Sequence, residues 1–371
     1  MSTRQMKLPL VLICSWCLQA WAAPDFPLPP TTRQVQLFRT SDGNYSRRLV
    51  TVPIPQVGER EILLHVRAVS IQRFDLEMGV MLKQLNQADL TGQVAGSDAA
   101  GDVVRVGRLV TTVRPGMRVI SVISPEFIEH PMSANSMEGA LGLSANGVFG
   151  DYVVLKETAV VPMPRYLSYE EAATLPSSAL TAWSALGIDH NVLRPGDTVL
   201  VEGTGGVSTF ALQFAVAAGG RVIVTSSSDE KLQKARSLGA TAGINYRKEP
   251  NWSAAVLRQT NGHGADLVVD IGGRSTLEQS MNSLAYEGNL AILGGLGGYD
   301  GTISAWSLMN KAGTARGIVG GARNDLVRMC RFMEQHRIHP VIDRTYPFSE
   351  LERALSDLES GSFVGKLVLV L

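Results

Sequence analysis

Thr198-Val-Leu-Val-Glu202 runs without a break into Gly203-Thr-Gly-Gly-Val-Ser208 and then into Thr209-Phe-Ala-Leu-Gln-Phe-Ala-Val-Ala-Ala218, closed by Gly219 and Gly220. The first stretch reads as a buried strand, the second as a tight glycine turn and the third as an apolar helix, which is the context a dinucleotide-binding fingerprint requires. Gly203 permits the turn. Gly205 and Gly206 leave room for backbone amides to approach a pyrophosphate, and Val207 lies on the opening turn of the helix, whose positive end faces the negative charge. Ser208 takes the third small position, where the fingerprint has Gly or Ala, and is still small enough for strand and helix to pack closely.

Downstream, Arg221-Val-Ile-Val-Thr225, Ala265-Asp-Leu-Val-Val-Asp270 and Gly288-Asn-Leu-Ala-Ile-Leu293 are apolar strands separated by helical stretches, the pattern of βαβ units and a parallel sheet. Upstream, from Val35 to Val161, short alternating strands are broken by Pro and Gly. Glu61-Ile-Leu-Leu-His-Val-Arg-Ala-Val69, Gly101–Gly107 and Arg118–Ile123 carry that alternation, with Arg114-Pro-Gly116 as a turn. The expected fold class is therefore α/β: a β-rich, barrel-like domain joined to a doubly wound parallel sheet. A length of 371 residues suits two domains at about 150 residues each.

Composition narrows the function. Hydrophobic residues at 45% and charged residues at 18% exclude a mainly disordered chain. Lys plus Arg and Asp plus Glu both number 34, so no global field draws in nucleic acid or anionic lipid, and no nucleic-acid partner is expected. Of three cysteines, Cys14 and Cys17 lie near the N-terminus and Cys330 stands alone, so the body of the chain offers no multi-cysteine zinc site. At the N-terminus, Arg4 and Lys7 precede an uncharged run from Leu8 to Ala23 containing Ala20-Trp21-Ala22. This predicts a signal peptide over residues 1–22, a proline-rich linker over 23–32, no stable membrane span in the mature form, and a secreted or periplasmic location. A start codon placed upstream of a cytoplasmic enzyme is the alternative.

Cofactor choice is read at the end of the second parallel strand. There Thr225-Ser226-Ser227-Ser228 has no carboxylate to repel a 2′-phosphate, and Lys231 follows within one helical turn. The expected cofactor is NADPH. The same residues also read as a capping box, with Ser227 as the cap and Glu230 its partner.

With Ala68-Val-Ser-Ile-Gln-Arg-Phe-Asp-Leu76, Gly96-Ser-Asp-Ala-Ala-Gly101, Leu167–Pro176, Leu180-Thr-Ala-Trp183, the glycine turn, Ser226–Leu232, Ile244-Asn-Tyr246 and Gly365-Lys-Leu-Val-Leu369 in order, the chain from about Arg33 onward resembles the medium-chain dehydrogenase/reductase superfamily. The resemblance is greatest to zinc-independent members, the NADPH:quinone oxidoreductases and NAD(P)-dependent alcohol dehydrogenase-like proteins. It implies a GroES-like catalytic domain built from residues 33–177 and 321–371, with a Rossmann domain over 178–320. It also implies Thr181 beside the nicotinamide, Lys231 and Tyr246 beside the 2′-phosphate with Ser226 at the strand end, and the backbone of Leu293 and Gly294 beside the carboxamide. The expected assembly is a homodimer.

Where zinc-dependent relatives carry Cys, Gly-His-Glu and a second Cys, this chain has Gln72 or Arg73, Gly96-Ser97-Asp98 and Ser177-Ser178, and it has no Cys between Ile123 and Phe149. Neither catalytic nor structural zinc is expected. Without a Lewis acid, hydride delivery to a quinone or α,β-unsaturated carbonyl is easier than removal of hydride from an alcohol, because the developing charge is delocalised. Gln72 and Asp75 are the candidate catalytic polar residues, with a loop-bracing role as the alternative for Asp75. A zinc-independent alcohol dehydrogenase or ketoreductase and a non-catalytic nucleotide-binding relative are the alternatives for the whole chain. His336-Arg-Ile-His339 is read as the end of a helix with a Leu326, Met329, Cys330 and Met333 core stripe, and not as a metal pair.

Overall fold

The computed structural model describes residues 27–42, 44–76 and 89–371. Two sheets organise them. The first is parallel, with strands β8 (Thr198–Glu202), β9 (Arg221–Ser226), β10 (Ala242–Asn245), β11 (Ala265–Asp270), β12 (Leu284–Ile292) and β13 (Thr314–Gly317) in the order β10-β9-β8-β11-β12-β13. Order reverses between β8 and β11, and in a doubly wound sheet the ligand crevice lies outside the carboxyl ends of the strands at that point. β12 begins four residues before the strand expected from Gly288, with Glu287 at a φ of 61°.

The second sheet is mainly antiparallel. Strands β3 (Glu61–Ser70), β4 (Asp98–Val106), β5 (Arg118–Ser121) and β7 (Val160–Pro162) are continued at the other side of β3 by β15 (Lys366–Val370) and β14 (Ile342–Pro347), while β6 (Tyr152–Lys156) also pairs with β3. A hairpin of β1 (Thr31–Arg39) and β2 (Tyr45–Pro53) stands beside it. The chain end thus returns to the sheet it left: Val368 faces Ser70 and Leu369 faces Val69.

This return is what builds the site. Gly365, one residue before β15, has a φ of 85°, and a Cβ there would lie 2.2 Å from the Val341 carbonyl oxygen, so the position requires glycine. Its N–H donates to the Thr204 carbonyl at 2.9 Å, which fastens the C-terminal strand to the glycine turn after β8. Helices α1 (Leu180–Leu186), α2 (Gly206–Ala217) and α7 (Arg323–His336) pack between the sheets. Phe210, Phe214, Trp183, Leu326, Met329 and Met333 share one core with Ala68, Ile120 and Val368 of the barrel. Each large side chain buried there contributes about 1.5–3 kcal/mol, so the two halves are held by a common hydrophobic core as well as by hydrogen bonds.

Candidate active site

Helix α2 begins at Gly206, three residues before the sequence-based start at Thr209, because Gly203 turns the chain within a single residue at a φ of 73°. The Ser208 hydroxyl donates to the Glu202 carbonyl at 2.6 Å, so the serine in the third small position ties the helix back to its strand. No atom lies within 4 Å of where a Gly205 Cβ would stand, whereas a Cβ on Gly206 would meet the Lys366 stem at 2.4 Å and the Ser178 hydroxyl at 2.9 Å. The opening turn of α2, Val207 included, therefore keeps an uncovered approach over Gly205, with the Lys366 side chain lying alongside. That is a fitting cradle for a pyrophosphate.

Lys366 leads to the second half of the site. It is 4% exposed, in an otherwise apolar strand, and its ammonium donates to the Ile71 carbonyl at 2.7 Å and to Gln72 Oε1 at 2.9 Å. Gln72 is the hub. Its Oε1 also accepts from the Ser178 hydroxyl at 3.1 Å, and its Nε2 donates to Asp98 Oδ2 at 2.6 Å. Asp98 is fully buried and accepts two further bonds, from the Ser177 N–H at 3.0 Å and the Ser97 hydroxyl at 2.6 Å. Burial pushes the Asp98 carboxyl up and the Lys366 ammonium down, and each holds the other toward its charged form. With three donors on the carboxylate and a cation across the Gln72 amide, an ionised pair is the consistent assignment.

Asp75 accepts the Gln72 N–H at 2.6 Å and donates its own N–H to the Gln72 carbonyl at 3.1 Å, closing the loop after β3. This is the bracing geometry. Its Oδ1, however, is buried with no hydrogen-bond partner among the described residues, and burial raises its pKa to about 6.

The positions that resemble zinc ligands thus converge in space, but the donor set does not suit zinc. Gln72 and Asp98 are spent on each other and on neighbouring donors, the remaining donors are hydroxyls, and an ammonium sits among them to repel a dication. Among the described residues no group of three or more His, Cys, Asp or Glu side chains could hold a metal ion. Cys330 is buried, and burial pushes its thiol up to about 12, as expected for an inert core residue.

At the adenosine end, β9 runs through Ser226, which is buried. The cap of helix α3 (Asp229–Ser237) is Ser228, whose side chain accepts from Lys231 N–H, and not Ser227 as the capping-box reading had it. Ser228 carries the extended backbone that lets its hydroxyl turn back onto the helix. The Lys231 ammonium donates to the Gly361 carbonyl, spanning from the parallel-sheet half to the loop before β15. Burial, and then the neighbouring Arg247 charge, lower its pKa. Tyr246 is exposed beside them, and Arg247, which the sequence reading passed over, presents an exposed guanidinium with no ion pair among the described residues. At the other end, Thr181 is half-buried one turn after Ser178 on the same helical run, and Leu293 donates its N–H to the Asp270 carbonyl at 3.0 Å. A Cβ on Gly294 would lie 2.6 Å from the Ile271 carbonyl oxygen.

Residues 58–165 match the alcohol dehydrogenase GroES-like domain and residues 206–335 the zinc-binding dehydrogenase domain. A zinc-type alcohol dehydrogenase-like protein of Schizosaccharomyces pombe is 40% identical over 323 residues, covering 85% of this chain and 92% of the relative. The chain is a medium-chain dehydrogenase/reductase. Among solved structures, an NAD-dependent alcohol dehydrogenase superposes with a TM-score of 0.79 at 31% identity, covering 92% of this chain and 99% of the other. The 2-octenoyl-CoA carboxylase reductase CinF, in complex with NADP and 2-octenoyl-CoA, superposes with a TM-score of 0.79 at 26% identity, covering 93% and 88%. This medium-chain dehydrogenase/reductase is accordingly an oxidoreductase of the GroES-like plus Rossmann architecture, with a cleft suited to a nicotinamide cofactor.

Proposed function

We propose that this chain is a zinc-free, NADPH-dependent reductase of conjugated carbonyls, quinones or α,β-unsaturated carbonyl compounds. The observation that carries this reading is the Gln72–Asp98–Ser178–Lys366 cluster, which fills the place of a metal with an amide, a hydroxyl and a carboxylate–ammonium pair. When bound, the cofactor supplies hydride from its nicotinamide ring. The chain's own residues do the rest. Gly203, Gly205, Gly206 and Val207 bind the pyrophosphate at the helix terminus, the backbone of Leu293 and Gly294 faces the carboxamide, and Thr181 faces the ring. Gln72, held on both sides by Asp98 and Lys366, orients the acceptor from a fixed loop that Asp75 closes. Support for a conjugated acceptor comes from CinF, whose structure holds an enoyl thioester.

NADPH over NADH is favoured by three features at the adenosine end: the hydroxyl-lined end of β9, Lys231, and the exposed Arg247 next to it, with Tyr246 alongside. Anaerobic turnover against quinones, enones, enoyl thioesters and simple ketones tests the reading. Oxidation of NADPH by the first three and not by ketones is expected, and turnover confined to ketones or alcohols would replace it with the alcohol dehydrogenase alternative.

We assign residues 33–177 and 321–371 to the catalytic unit and 178–320 to the cofactor unit, and a second copy of this chain as partner. Strand β13 is the open edge of the parallel sheet, and helix α6 (Ala305–Lys311) beside it buries no residue, leaving Trp306 and Met309 more than two-thirds exposed. A dimer in sedimentation that Trp306→Glu converts to a monomer is expected. The leader expected over residues 1–22 and residues 23–26 of the linker lie outside the described residues. Among those described, no helix is long and apolar enough to cross a membrane.

A further inference from the structure

Two carboxylates that the hydride chemistry does not use stand at the switch point of the parallel sheet. Glu202 ends β8 and Asp270 ends β11, 3% and 0% exposed, and neither has an ion-pair partner among the described residues. The Ser280 hydroxyl of helix α5 (Leu277–Ser283; the intervening helix over Trp252–Gln259 is α4) lies between them, 2.6 Å from Glu202 Oε1 and 2.7 Å from Asp270 Oδ2.

A hydroxyl carries one proton and can donate to only one of the two oxygens. Asp270 already collects donors that suit an ionised carboxylate: the Gly273 N–H at 2.9 Å on Oδ1 and the Thr276 hydroxyl at 2.9 Å on Oδ2. Glu202 has the Ile271 N–H at 3.3 Å on Oε2 and the Ser280 hydroxyl on Oε1, and it shares with Asp270 the Thr276 hydroxyl, whose single proton lies 2.9 Å from Asp270 Oδ2. The contacts close without a repulsive oxygen pair when Glu202 carries a proton on Oε1, gives it to Ser280 Oγ, and Ser280 donates on to Asp270. Every element packed around Glu202 is neutral there apart from Asp270: Ser208 of α2 meets its backbone carbonyl, Ser280 of α5 and Thr276 before it supply hydroxyls, and β9 offers Thr225 as its register partner.

The pair is also connected to the cleft. Ile271, whose N–H rests on Glu202, accepts from the Leu296 N–H at 3.2 Å; Gly272 accepts from the Gly297 N–H at 2.8 Å; and Asp270 accepts from the Leu293 N–H at 3.0 Å. We propose that Glu202 and Asp270 hold a single proton between them through Ser280, and that this proton keeps residues 271–273 seated against residues 293–297, making them positioning residues for the nicotinamide end of the cleft. The coupling to cofactor rests on the reading under Proposed function, while the shared proton does not. Burial, then the Asp270 charge, push the Glu202 carboxyl up to about 8, so the proton would be lost in the alkaline range.

Glu202→Gln keeps the shape, accepts from Ile271 and donates to Ser280, but does not titrate. A group whose pKa is raised on folding gives its full contribution below the unfolded value and loses it as pH rises through the folded one. Thermal unfolding without cofactor should therefore show Glu202→Gln gaining on the native chain from about pH 5 to about pH 8 and holding a constant lead above about pH 9. Asp270→Asn, which removes the like charge but leaves Glu202 buried, should lose part of the same slope, and it keeps the test open if the first variant folds poorly. In titrations with NADPH, the ratio of native to Glu202→Gln dissociation constants should rise about tenfold between pH 7 and pH 9. Taking the ratio cancels the titration of Lys366, which is common to both chains.

Parallel melting profiles across the whole range would overturn the shared proton. Diverging profiles with a constant binding ratio would uphold the shared proton and overturn its coupling to the cleft. If neither chain binds NADPH at any pH, the cofactor reading falls and the coupling with it, while diverging profiles still uphold the proton.

Discussion

Lys366→Met is the substitution that separates a paired buried cation from a merely well-packed stem. Methionine fills most of the same volume alongside Gly206 but gives nothing to the Ile71 carbonyl or to Gln72 Oε1, which lose bonds of 2.7 and 2.9 Å. Hydrogen bonds to a charged group are worth about 1.5–3 kcal/mol each, and desolvating the ammonium costs several kcal/mol, so the pair as a whole is close to neutral for stability. Removing one member is different, because Asp98 is left fully buried with three neutral donors and no cation. About 3 kcal/mol of destabilisation is expected for Lys366→Met, toward the low end of the range for breaking a buried pair because Asp98 can take up a proton. Asp98→Asn should cost a similar amount. The double variant should cost about 2 kcal/mol less than the sum, since neither charge is then stranded. Urea unfolding of the four chains at pH 7.5 measures the cycle. Single costs that add to within about 0.5 kcal/mol would refute the ionised pair and leave Lys366 as a packing residue.

Lys231→Ala and Arg247→Ala should each weaken NADPH by about 1.5–3 kcal/mol, the scale of a charge-assisted bond, and leave NADH nearly unchanged; equal losses for both cofactors in fluorescence titrations would reject the 2′-phosphate assignment. Gly294→Ala sets a Cβ 2.6 Å from the Ile271 carbonyl oxygen, so the two loops must part, at about 1–3 kcal/mol of unfolding stability together with weaker cofactor binding. A melting temperature and affinity equal to the native chain's would show that the loops yield freely. Turnover should survive exhaustive chelation, and elemental analysis should find well under one zinc per chain. A stoichiometric metal would reinstate Lewis-acid chemistry. Residues 1–30 fused to a reporter active only outside the cytoplasm should switch it on, and a silent reporter would reject export.

The parts of this molecule legible in its sequence are those whose physics is local. A strand, a glycine turn and an apolar helix in Thr198–Ala218 need only neighbours in the chain, and the structure departs from that reading only at the helix ends, Gly206 and Ala217. The alternation over residues 61–69 likewise declares β3, because residues two apart share a face. Gln72 and Asp75 could be singled out as polar residues on a loop, but not their surroundings: Lys366 is 294 positions from Gln72, and only the antiparallel pairing of β15 with β3 brings them within 2.9 Å. Ser227 was misread as the cap for the opposite reason, since two adjacent serines present the same side chain and the choice falls to backbone angles that composition does not carry.

One signal for the distant contacts was nevertheless in the sequence. Lys366 opens the run Lys-Leu-Val-Leu-Val, Asp98 precedes Ala-Ala-Gly, Glu202 closes Thr-Val-Leu-Val and Asp270 closes Leu-Val-Val. An ionisable residue at the end of a strand that is otherwise buried stays inside only where the chain provides a partner, because an unpaired charge there would be too costly to keep. Four such residues in one chain require at least two separate compensations, and the structure supplies them by two different means. Lys366 and Asp98 neutralise each other across the Gln72 amide, whereas Glu202 and Asp270, having no cation, are reconciled by a proton and the Ser280 hydroxyl. On the proposed reading the first cluster orients the acceptor and the second lies behind the loop assigned to the carboxamide, so both sets of buried charges depend on pairings that only the fold can make.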